Sequence, residues 1–120
     1  MKTILVVDDD NAQRTILQKE LEPEGYRVRL AESGSEALDL IRKEMIDLVV
    51  LDIRMPEMDG LELLGKMLAF KPGLPVVFYT AFDSYQDSFF SWAADAYVLK
   101  DPDVGNLKAK LKELLGGDAA

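Results

Sequence analysis

The chain has 120 residues, with 22 Asp or Glu against 14 Lys or Arg, a formal net charge of −8, and neither His nor Cys. This length bounds one domain with one core, folded without disulfides. The missing imidazoles and thiols exclude histidine catalysis, cysteine nucleophiles and zinc held by either.

The acidic balance opposes direct binding to nucleic acid or to an acidic membrane surface, which leaves a protein or a cation as the partner. At the N-terminus the apolar run Ile4 to Val7 is far shorter than a signal-peptide core or a span of about 20 apolar residues. A cytoplasmic protein is the expectation. The same run, β-branched and apolar at every position, predicts a strand buried on both faces. Ile16, Leu17 and Leu21 then recur at helical spacing, and Pro23 should end that helix at about Glu22. After Gly25, the run Tyr26 to Ala31 alternates, as an edge strand with one wet face does.

Ser33 followed by Glu36 is a capping-box pattern ahead of a helix carrying Ala37, Leu40 and Ile41. Leu48 to Leu51 is a second fully apolar strand. Leu61, Leu64 and Leu68 space a third helix, closed by Gly73 and Pro75, and Val76 to Tyr79 is a third fully apolar strand. A helix over about Ser84 to Ala93 has almost no polar face. The strand Tyr97 to Leu99 follows, Asp101 before Pro102 gives another start signal, and Leu107, Leu111 and Leu114 space the last helix. The domain is read as residues 1–116, with 117–120 as a disordered tail.

Five strands alternating with helices in 120 residues are too few for a barrel. They predict an α/β fold, an open doubly wound (βα)5 parallel sheet with helices on both faces and ligands at the carboxyl ends of its strands. Those ends carry Asp8, Asp9 and Asp10, then Asp52, Thr80 and Lys100. Taken singly, each is an ordinary cap, turn or solvated residue. Together they place an acid cluster, a hydroxyl and an amine on one rim. Two unit charges about 4 Å apart repel by roughly 1 kcal/mol in water and roughly 4 kcal/mol at an effective dielectric of about 20, so the excess negative charge calls for a cation. An all-oxygen, water-accessible cluster suits Mg2+, which shares phosphate readily. Phosphoryl transfer to a carboxylate needs an in-line nucleophile with positive charge around it. Asp52, which ends a central strand with no acid beside it, is the natural nucleophile, and Asp9 with Asp8 would hold the ion.

The ordered set Ile-Leu-Val-Val-Asp-Asp-Asp at 4–10, Asp-Leu-Val-Val-Leu-Asp at 47–52, Met-Pro at 55–56, Met-Asp-Gly at 58–60, Thr-Ala at 80–81 and Tyr-Val-Leu-Lys at 97–100 resembles the receiver domain of bacterial two-component response regulators. The resemblance spans the whole chain. It implies the flavodoxin-like strand order 2-1-3-4-5. It implies Asp52 as phospho-acceptor, and Asp8, Asp9, Asp52 and the Arg54 carbonyl as Mg2+ ligands. Lys100 and Thr80 would bind the phosphoryl group, and Thr80 and Tyr97 would act as the switch. Arg54 and Phe82, two residues after Asp52 and Thr80, would flank the path of an attacking water and slow phosphoryl loss. The partners implied are a sensor histidine kinase or a phosphotransfer protein, an output protein met through the fourth helix, fifth strand and fifth helix, and a phosphorylation-dependent homodimer.

Three departures from that pattern stand out: Asp101 between the lysine and Pro102, Ala93 where a glycine is common, and Pro23 in the first helix. Eight of the ten aromatics fall between Phe78 and Tyr97, and some of Phe89, Phe90 and Trp92 are expected at a docking surface. Three other readings compete. One is a small aspartyl-phosphate phosphatase of haloacid-dehalogenase type, suggested by Asp8 and Asp10 but needing a longer chain. Another is a receiver-like module that is never phosphorylated. The last is a receiver cut from a longer DNA-binding regulator. Separate substrate turnover, and so an enzyme in the ordinary sense, is not expected.

Overall fold

The structure, a computed structural model, describes residues 1–52, 60–80, 95–100 and 104–116. Among these are five strands, β1 (Thr3–Val7), β2 (Arg27–Ala31), β3 (Leu48–Leu51), β4 (Val76–Thr80) and β5 (Ala96–Leu99). The helices are α1 (Asn11–Leu21), α2 (Gly34–Lys43), α3 (Gly60–Phe70) and α4 (Gly105–Leu115). The helix expected over 84–93, the Asp101-Pro102 start signal, Ala93 and the tail 117–120 lie outside the described residues.

All strand pairs are parallel, and the order is β2-β1-β3-β4-β5. The three strands read as fully apolar, β1, β3 and β4, are the three interior ones and are buried throughout. The alternating β2 is an edge, as expected. Period 2 divides their side chains between two cores. Leu5, Val7, Val49, Leu51 and Phe78 pack with Ala37 and Ile41 of α2 and Leu63, Leu64 and Met67 of α3. Ile4, Val6, Val50, Val77 and Tyr79 pack with Leu17 and Leu21 of α1 and Leu107 and Leu111 of α4.

Local chemistry fixes the helix ends. Asp10 caps α1, its Oδ1 accepting the N–H of Ala12 at 2.9 Å. Pro23 ends α1 at Leu21 and starts one turn of 3-10 helix over Glu22–Glu24, which Gly25 closes in the left-handed region at φ 96°. The Ser33 hydroxyl accepts the Glu36 N–H at 3.2 Å, while the Glu36 carboxylate reaches the N–H of Glu32, one residue before the partner of a standard capping box. One spacing misleads: Ile16 is 46% exposed, and Arg14 takes a buried place on the stripe with Leu17 and Leu21.

The lower ends of the strands are tied by two similar clasps. The Asp47 carboxylate accepts the N–H of Thr3 at 2.7 Å while Asp47 N–H donates to the Thr3 carbonyl at 2.9 Å. Asp95 does the same to Val76, at 2.8 Å for both bonds. With register fixed below, the residues after each strand meet at one level above.

Candidate functional site

Each rim residue is set by a strand ladder running one bond further. Asp8 N–H donates to the Ala31 carbonyl at 3.1 Å, Asp52 N–H to the Val7 carbonyl at 3.0 Å, and Lys100 N–H to the Thr80 carbonyl at 2.7 Å. Because Val7 pairs with Leu51, Asp8 and Asp52 emerge side by side. Thr80 ends β4 with no exposed surface, next to Leu99 of β5.

Carboxylate oxygens of Asp8, Asp9 and Asp52 all lie within 4.8 Å of one another. The Lys100 ammonium bridges two of them, at 2.9 Å from Asp8 Oδ2 and 3.1 Å from Asp52 Oδ2, and its side chain is only 18% exposed. Burial opposes the lysine's charge. The hydrogen bond to Asp8 and the negative charges of Asp52 and Asp8 outweigh that burial, so the ammonium holds its proton above the ordinary lysine value. Among the described residues one ammonium faces three carboxylates, an excess of negative charge that suits a cation. Hard oxygen donors with one acid, Asp9, open to water fit a small divalent ion that keeps part of its hydration shell.

Asp8, Asp9, Asp52, Thr80 and Lys100, expected on one rim, lie together at the carboxyl ends of the strands. Tyr97 lies on β5, half-buried, with its ring edge-on to Phe78 at 6.1 Å between centroids and 63° between planes. Arg54 and Phe82 lie outside the described residues.

Sequence reasoning missed Arg14. Its Nη1 donates to the Asp8 carbonyl at 2.6 Å and its Nη2 to Asn11 Oδ1 at 3.1 Å. The available signal was its spacing, three residues before Leu17 and seven before Leu21. An arginine on an apolar stripe reads as polar until its partners are seen.

Among the described residues no helix is long and apolar enough to cross a membrane. A family model, the response regulator receiver domain, matches residues 4–112. Transcriptional regulatory protein ZraR of Escherichia coli (strain K12) is 43% identical over 114 residues, 93% of this chain and 26% of that protein. Response regulator MprA of Mycolicibacterium vanbaalenii is 42% identical, over 93% of this chain and 49% of its own. The chain thus spans about a quarter to a half of these relatives. The crystal structure of response regulator protein TrrA from Thermotoga maritima in complex with Mg(2+)-BeF superposes with a TM-score of 0.92 at 44% identity, covering 95% of this chain and 99% of that one. TrrA in complex with histidine kinase ThkA gives 0.90 at 44% identity, covering 96% and 99%. With the strand order, the acidic rim and the matched residues in agreement, the chain belongs to the response regulator receiver domain family.

Proposed function

We propose that the chain is a phospho-accepting switch in which Asp52 takes a phosphoryl group from a histidine kinase or a phosphotransfer protein. The observation that carries the reading is the Lys100 ammonium held between the Asp8 and Asp52 carboxylates. A carboxylate oxygen of Asp52 attacks the phosphorus of a phosphohistidine in line. The new P–O bond forms as the P–N bond breaks, and the electron pair leaves with the imidazole. Lys100, already in contact with Asp52, turns its charge to a phosphoryl oxygen, and Thr80 follows with its hydroxyl. Asp8, Asp9, Asp52 and the carbonyl of Arg54 would hold Mg2+, which would supply positive charge to the phosphoryl oxygens.

Thr80 and Tyr97 then shift together and alter the face presented by β5 and α4. That face meets the output partner or a second phosphorylated copy. The kinase as donor is supported by the ThkA complex of TrrA. No separate substrate is turned over.

Acetyl phosphate with Mg2+ should add the mass of one phosphoryl group to the wild type and none to Asp52→Asn. No mass gain in the wild type, or an equal gain in the variant, refutes the assignment. Arg54 and Phe82 should prolong the phosphorylated state, so Phe82→Ala is expected to shorten its half-life, and an unchanged half-life removes Phe82 from that role.

A second reading, a receiver within a longer DNA-binding regulator, is favoured by the 26% share of ZraR that the chain spans. The mass of the protein isolated from its own cells separates the two.

A further inference from the structure

Arg14 sits where a guanidinium is costly. Its side chain is 11% exposed, and it lies at the end of the first turn of α1, toward the positive pole of the helix. The first turn holds no acidic residue, and the carboxylate that pairs with Arg14, Glu32 at 3.7 Å, is itself 66% exposed. The offset comes from the other side, where the two ends of the fork grip different elements. Nη1 holds the carbonyl of Asp8, just past β1, and Nη2 holds Asn11, the first residue of α1. The guanidinium therefore spans the three-residue turn Asp8-Asp9-Asp10.

Asp8 is held at every polar group: its N–H by Ala31, its carbonyl by Arg14, Oδ1 by the Asp10 N–H at 2.9 Å and Oδ2 by Lys100 at 2.9 Å. When a divalent ion and a phosphoryl group draw Lys100 away, the Arg14 bond is one of the restraints that stay. We infer that Arg14 is a positioning residue which braces the acidic turn and so sets the divalent-ion affinity of the rim, an inference that rests on the phospho-acceptor reading above. A fork is required for this, since a lysine ammonium is a single point and cannot span both anchors.

The test titrates Mg2+ calorimetrically into wild type, Arg14→Met, Arg14→Lys and Asn11→Ala, and measures the Mg2+ dependence of phosphorylation by acetyl phosphate. Removing an outer-shell partner typically weakens a metal site about 10-fold or more. Arg14→Met and Arg14→Lys should each lose about that factor, raise the half-saturating Mg2+ equally, and keep the wild-type plateau rate. Asn11→Ala, a surface change that removes one anchor, should move the same way by less.

Unchanged affinity in all three variants overturns the inference. So does a lowered plateau with unmoved half-saturation. Tighter binding in Arg14→Met with wild-type binding in Arg14→Lys also overturns it, because charge alone would then govern. If circular dichroism shows Arg14→Met unfolded, the other two variants decide. A wild type that binds no Mg2+ refutes the phospho-acceptor reading itself, whereas a wild type that binds it alongside unaffected variants refutes only the brace.

Discussion

Two side chains tie proton affinity to the folded state. The Tyr26 phenol is buried, and burial first, then the negative charge of Glu24, hold its proton above the ordinary value of 10.0. Lys100 also keeps its proton to higher pH in the fold than outside it. A group bound more tightly in the native state contributes stability that is complete below its unfolded value and is lost as pH climbs through the raised one. Both residues therefore make the protein less stable above about pH 10, in the same direction. Tyr26→Phe removes one of them. Urea midpoints measured across that range should fall less steeply for the variant, while the wild type's phenolate absorbance rises later in native protein than in urea. Parallel curves for the two proteins would show that burial of Tyr26 does not govern its titration.

Elements follow from short-range chemistry, and their ends are where it can be measured. The Ser33 hydroxyl satisfies an orphan N–H at the start of α2, so Ser33→Ala should cost about 1 kcal/mol, read as a lower urea midpoint at constant slope. That cap was legible because Ser33 and Glu36 stand three apart. The buried strands were legible because parallel pairing under two helical layers leaves no polar position in Ile4 to Val7, Leu48 to Leu51 or Val76 to Tyr79. The rim was legible because each of these strands, and β5, hands its next polar residue to the same end. The role of Arg14 was not, since spacing records where a side chain points and not what it touches. Ile16 misled for a related reason: an isoleucine beside the stripe resembles one on it. The Asp47 and Asp95 clasps were hidden because their partners, Thr3 and Val76, are remote in sequence.

At the scale of the whole molecule, part of the net charge of −8 sits where it works against the fold. Three carboxylates share a space of 4.8 Å under one ammonium, so part of the stability of the ion-free protein is given up to keep the rim acidic. Removing the exposed charge in Asp9→Asn relieves that repulsion. In chelator, the variant should melt above the wild type by roughly 2–6 °C, since about 1 kcal/mol moves the midpoint of a domain this size by that order. Adding Mg2+ should reverse the ranking. An ion that binds only the folded wild type stabilises it by about 2.7 kcal/mol at about 100 times its dissociation constant. Asp9→Asn, with one oxygen donor fewer in charge, should gain little. The two melting curves, followed by calorimetry as Mg2+ is raised, should cross. A wild type indifferent to Mg2+, or a variant less stable than the wild type in chelator, would mean that the acidic rim is neither strained by its own charge nor shaped to hold a cation.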